Sequence, residues 1–118
     1  MPPNPTLAQF RDHAWAWDTN HFNETFAVNT TAVFNTAIAF LELLDAGNLH
    51  GGLAQRSQII ATSSIGAFNR SPLAGYAYSG AKAAVVHIMK QLATSLVPYN
   101  IRANVIAPGC KFTRLLAV

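Results

Sequence analysis

From about Asn20 to Ala46, apolar side chains recur at Phe22, Phe26, Phe34, Ile38 and Leu41, with further apolar residues between them. This spacing follows the period of an α-helix and predicts one long, mostly buried helix, stopped by Gly47, which accepts the left-handed backbone of a helix end. Turn residues crowd Asn48 to Arg56, and the β-branched run Ser57 to Thr62 (SQIIAT) predicts a buried strand. Ser63 to Gly75 carries Gly66, Asn69, Pro72 and Gly75, a loop composition. From Gly75 to Val97 the stripe Val85, Met89, Leu92, Leu96 predicts a second helix, ended by Pro98, which biases Val97 away from helical angles. Ile101 to Ala107 (IRANVIA) predicts a second strand, closed by Pro108 and Gly109. Ahead of these elements Pro2, Pro3 and Pro5 fix backbone angles and remove amide donors, so residues 1–17 are expected to form an irregular lead-in.

The order is therefore helix, strand, helix, strand, with no tight hairpin between the strands. That is the crossover unit of a parallel sheet, expected to be right-handed, and the fold class is α/β. Both strands are continuously apolar, as when helices cover both sheet faces. Functional residues belong at the carboxyl ends of the strands, where open α/β sheets bind ligands.

Composition narrows the picture. A chain of 118 residues is one folding unit. With 51% hydrophobic and only 11% charged residues, it has a large surface to bury. The net charge of +3 and pI near 9.4 reflect few acids, since no Lys/Arg run or aromatic-basic interleaving would track nucleic acid. One cysteine, Cys110, excludes an internal disulfide, and His13, His21, His50 and His87 lack the spacing of a metal cluster. A reducing compartment and no structural metal are expected. The start has no basic segment before an apolar core, and Ala32 to Leu44 is broken by Asn35, Thr36 and Glu42, so neither a secretory signal nor a membrane span is expected. The expected location is the cytoplasm.

Three groups meet at the carboxyl edge: Ser63 and Ser64, Tyr78 and Lys82, and Pro108 and Gly109. Tyr78 and Lys82 are four apart and share a helix face, which brings an ammonium near a phenol oxygen. At ~5 Å and an effective dielectric of ~20, that attraction favours the phenolate by ~3 kcal/mol. Such a phenol suits acid-base work, and a Ser64 hydroxyl opposite it suits holding a carbonyl or alcohol oxygen. A Tyr and a Lys at this spacing are, on most helices, a half-buried ring beside a solvated charge, so the pair alone does not define a site.

Taken together, these segments resemble the short-chain dehydrogenase/reductases. YSGAK at Tyr78 to Lys82 resembles the Y-x-x-x-K signature, and IIATSS at Ile59 to Ser64 the strand ending in the catalytic serine. FAVNTTAVFNTAIAFL at Phe26 to Leu41 resembles the helix carrying an active-site asparagine, here Asn29, and IRANVIAPGCKFT at Ile101 to Thr113 the strand and turn lying against a nicotinamide. The resemblance, over about residues 18–116, implies a partial Rossmann-like, doubly wound parallel sheet and hydride transfer between NAD(P) and an alcohol or carbonyl substrate. It implies that Tyr78 exchanges a proton with the substrate oxygen, that Lys82 assists it and binds the nicotinamide ribose, and that Ser64 polarises the substrate oxygen. Asn29, at a helix irregularity, would hold a water linking Lys82 to solvent. Pro108, Gly109 and Thr113 would position the nicotinamide, and Asn104 would be structural.

Two departures stand out. Ser64 to Tyr78 is fourteen positions where the family has thirteen, an extra residue that a loop absorbs. No strand, glycine-rich turn and helix for the pyrophosphate precede the first helix, so the chain is read as the catalytic part without the dinucleotide-binding N-terminal half. The isolated chain is thus either an oxidoreductase by descent or an inactive remnant or interaction module. The motifs leave the substrate, and NAD against NADP, open. Trp15 and Trp17 are expected to pack the lead-in, Cys110 to fill space, His87 to lie at a surface or interface, and Tyr76 to point away from Tyr78. Both long helices carry more apolar surface than one sheet face covers, so a homo-oligomer through them is expected.

Overall fold

A computed structural model describes residues 3–52, 54–72 and 74–109. Thr6 opens the chain's first helix, α1 (Leu7–Trp15), where irregular structure was expected. Its hydroxyl accepts from the Gln9 amide at 3.3 Å, and the Gln9 side chain accepts from the Thr6 amide at 2.9 Å. This reciprocal cap satisfies two donors that a helix start leaves open, and it outweighs the prolines just upstream. Asp18 caps the next helix, α2 (Thr19–Phe26), by accepting from the Asn20 amide at 2.9 Å.

The single long helix expected here is divided. After α2 the chain makes a π-helical turn, Ala27–Thr31, and continues as α3 (Ala32–Ala39). Val28, Asn29, Thr30 and Thr31 are all poor helix formers, so this is the segment least able to hold regular α geometry. At Phe40 (φ −97°, ψ 1°) the path bends by 41° into α4 (Leu41–His50). Nor does Gly47 stop the helix. It sits inside α4, where a Cβ would come within 3.3 Å of the Ser57 hydroxyl, so its role is close approach. Ser57 Oγ donates to the Leu44 carbonyl at 2.7 Å, and Asn48 accepts from the Ser57 amide while donating to Tyr99 and Asn100 carbonyls. Expected to be mostly buried, these helices contribute only Thr30 and Ala37 to the buried residues.

Strand β1 (Gln58–Thr62) pairs in parallel with β2 (Arg102–Ile106), in the register Gln58 with Arg102 through Thr62 with Ile106. Between them runs α5 (Tyr76–Ser95), preceded by a 3-10 turn at Ile65–Ala67 and followed by another at Val97–Tyr99. The helix thus ends just ahead of Pro98, whose ring opens the second turn. Two parallel strands joined through a helix make the α/β class as read from the sequence. The core joins Ala37 of α3, Ala61 of β1, Val85, Met89 and Leu92 of α5, Leu96, Ile101, and Ala103 of β2.

Among the described residues only one sheet face is covered. Ile59, Ala61, Ala103 and Val105 pack against the helices, whereas Gln58, Ile60 and Thr62 with Arg102, Asn104 and Ile106 form the other face. Ile60 is 55% exposed and Ile106 54%, with no described helix over them. Continuous apolar strands report what covers a sheet in the finished fold, and the described helices supply that cover on one of its two faces. Asn104, expected to be structural, is exposed on this bare face. Among the described residues no single helix is long and apolar enough to cross a membrane; Thr19–Ala39 and Leu41–His50 meet that combined requirement only together, across a 41° bend.

Candidate active site

The carboxyl ends of β1 and β2 are tied together by the Ser63 amide donating to Ile106 O at 2.8 Å and the Ile65 amide donating to Pro108 O at 3.0 Å. Ile65 also packs on Gly109, where a Cβ would lie 3.2 Å from its Cδ1. These contacts seat the Pro108–Gly109 turn beside the serines. Thr113 and Cys110 lie outside the described residues.

The two serines divide the work, as neighbours on an extended chain face opposite ways. Buried Ser63 donates its hydroxyl to the Lys82 carbonyl at 2.8 Å and so braces α5. Ser64 caps the 3-10 turn, its Oγ accepting from the Gly66 amide at 3.1 Å. Around Gly66 three side chains converge. A Cβ there would lie 3.4 Å from Ser64 Oγ, 3.6 Å from Ser79 Oγ and 3.8 Å from the Tyr78 ring. Ser64 and Tyr78 are therefore brought together as expected, and the extra loop residue does not separate them. Gly66 and Ser79 join them although sequence reasoning had not singled them out; the only signal was their place beside the serine and the tyrosine.

Tyr78 occupies the third residue of α5, and Lys82 lies one turn on. The Lys82 Nζ is 5.7 Å from the Tyr78 ring centroid and donates to the Thr62 carbonyl at 3.0 Å. That last bond fixes the ammonium at the end of β1, on the side where the serines stand. Asn29 sits in the middle of the π turn, at the irregularity expected for it, with its Nδ2 donating to Thr25 O at 3.0 Å. Its neighbour Thr30, buried, donates to the Ala81 carbonyl at 3.0 Å, which places the π turn against the segment between Tyr78 and Lys82. Sequence reasoning missed Thr30 and Ser63 as braces, although a buried hydroxyl beside a functional residue always needs a partner.

The remaining expectations divide. Trp17 packs, with its ring over Gly75, but Trp15 is 88% exposed and does not. Tyr76 points away from Tyr78 and lines a separate hollow with Trp15, Trp17 and Phe22, and His87 is exposed. No three His, Cys, Asp or Glu side chains among the described residues group as metal ligands.

A family profile described as short chain dehydrogenase matches residues 7–117. The short-chain dehydrogenase/reductase PhomF of Diaporthe leptostromiformis is 52% identical over 109 residues, which are 92% of this chain and 37% of that protein. Among solved structures, NAD+-bound xylitol dehydrogenase is similar with a TM-score of 0.68 at 27% identity, over 81% of this chain and 34% of the other. The Pseudomonas aeruginosa RhlG complex with NADP matches with a TM-score of 0.68 at 28% identity, over 83% and 38% of the respective chains. The chain thus spans little more than a third of its curated relatives.

Proposed function

The chain belongs to the short-chain dehydrogenase family, and from this premise we propose that it carries the acid-base part of a NAD(P)-dependent oxidoreductase acting on an alcohol or carbonyl group. The observation that carries the reading is the meeting of Ser64, Tyr78 and Lys82 at the carboxyl ends of two parallel strands, beside Pro108 and Gly109. In reduction, the Tyr78 hydroxyl gives its proton to the substrate oxygen and is left as the phenolate; in oxidation, that phenolate takes the alcohol proton. Ser64 Oγ holds that oxygen, since its one described bond uses a lone pair and leaves the hydroxyl hydrogen to donate. Lys82, fixed at Thr62, keeps its ammonium 5.7 Å from the Tyr78 ring centroid, and Asn29 in the π turn would hold a relay water toward Lys82.

The residues present fit one end of the cofactor. Tyr78, Lys82, Pro108 and Gly109, with Thr113, would hold the nicotinamide and its ribose. No described strand runs through a glycine-rich turn into a helix that receives a pyrophosphate, so this chain's described part offers the adenosine half no cradle. When bound, NAD(P) supplies or accepts the hydride. An isolated-chain titration with NADH or NADPH is therefore expected to show no saturable micromolar binding; micromolar affinity would overturn that expectation.

In a chain extended to the length of its relatives, Tyr78→Phe should lower kcat by ~100-fold or more with circular dichroism unchanged, since only the phenolic proton is lost. Near-normal turnover would make Tyr78 a packing residue. Lys82→Ala should reduce both kcat and cofactor affinity. A second reading, an interaction module, is favoured by the sheet face that the described residues leave uncovered, where Ile60 and Ile106 are each more than half exposed.

A further inference from the structure

Two aromatic rings rest on two glycines that bracket Tyr78. Gly75 precedes α5 at φ +86°, and a Cβ there would stand 2.7 Å from Trp17 Cη2. At Gly80 a Cβ would stand 3.3 Å from Phe26 Cζ, and the Phe26 ring is itself stacked on Phe22 with centroids 5.5 Å apart. Gly75 offers α5 no side-chain cap, so locally the helix start is held by backbone bonds alone, the Gly75 amide donating to Pro72 O at 3.0 Å and the Ser79 amide to Gly75 O at 3.2 Å. Gly80 follows Tyr78 by two residues, which places it roughly 200° round the helix, on the far side from the phenol. Each glycine lets a ring approach where any other residue would hold it off.

We propose that Trp17 and Phe26 are positioning residues that set the height and rotation of the first turns of α5 and thereby hold the Tyr78 ring against Ser64 and Gly66. Thr30 and Ser63 fix the following carbonyls, Ala81 and Lys82, but nothing they touch lies ahead of Tyr78. The two rings supply the constraint at that end. Trp15 takes no part, being 88% exposed. The catalytic meaning of this device rests on the acid-base reading of Tyr78, whereas the geometry stands independently of it.

The test is NMR on the 118-residue chain with labelled tyrosine rings and methionine methyls, Tyr78 being assigned through Tyr78→Phe. Trp17→Ala and Phe26→Leu are expected to shift the Tyr78 ring resonances and to remove the Tyr78-to-Gly66 cross-peak, while the buried Met89 methyl keeps its position. Trp17→Phe should restore part of the cross-peak, and Trp15→Ala should change neither signal. An unmoved Tyr78 in both ring variants would overturn the proposal. So would a Met89 methyl that moves with Tyr78 in every variant, Trp17→Phe included, because the rings would then be holding the whole core. Full turnover by Tyr78→Phe in the extended protein would remove the catalytic meaning and leave this positional result untouched.

Discussion

Thr30 and Ser63 each give a hydroxyl hydrogen to a carbonyl of α5, at 3.0 Å to Ala81 and 2.8 Å to Lys82, from buried positions. Thr30→Val keeps the shape and loses the bond, so it should cost ~1 kcal/mol in urea unfolding, and Ser63→Ala a similar amount. Ser64→Ala, which removes only the cap of a three-residue turn, should cost less than either while abolishing turnover in the extended protein. Equal losses at positions 63 and 64 would contradict this division of labour. At this scale the sequence was informative where spacing carries chemistry: Tyr78 and Lys82 stand one turn apart on any helix. It was silent where a contact is long-range, and nothing local to Trp17 reveals that Gly75 lies under its ring.

Glycines decide how the elements begin and cross. Gly75 (φ +86°) and Gly52 (φ +61°) both occupy the left-handed half of backbone space, but only Gly75 also lies beneath an indole. Alanine at either position meets backbone strain of ~1–3 kcal/mol. Gly75→Ala must in addition displace Trp17, so its melting temperature should fall further than that of Gly52→Ala; the reverse order would mean that Trp17 is loosely seated. Helix α5 and its core stripe were legible because their periodicity is long and uninterrupted, and the two strands because each is a short apolar run bounded by turn residues. The helix α1 was hidden behind prolines whose effect ends at Thr6, although the Thr6/Gln9 cap was readable. The division of the long helix was half legible, since Asn29 was expected at an irregularity while the bend at Phe40 has no breaker residue to announce it.

The whole molecule has a radius of gyration of 18.7 Å, against ~13 Å for a compact domain of ~100 residues. Among the described residues, half of the ten buried apolar ones are alanines, so little core volume stands behind a large apolar exterior. Phe34 and Ile38 of α3 are each 41% exposed, and an open hollow of about 680 Å³ is lined by Phe34 of α3 with Ile88 and Leu92 of α5. An isologous dimer through these helices would cover that surface, in competition with aggregation through the bare sheet. Light scattering should find dimers or larger species, and a monodisperse monomer across a wide concentration range would defeat this expectation. Ile60→Lys with Ile106→Lys should suppress the aggregation without lowering stability, because both side chains are already more than half exposed. The sequence overstated burial because apolar patterning records the surfaces a fold is meant to cover, wherever the covering comes from. The two-stranded sheet also leaves a distinctive signature in deuterium uptake. The amides of Ser63 and Arg102 point inward, to Ile106 O and Ser57 O, and every second residue along each strand repeats that direction. Ile59, Ala61, Asn104 and Ile106 should therefore exchange slowly, while Ile60, Thr62, Ala103 and Val105, turned to the open edges, exchange fast. Any strand that docks on an edge, from whatever source, would convert one fast set to slow and leave the other as it was, so the exchange pattern itself reports which side of the sheet has been completed.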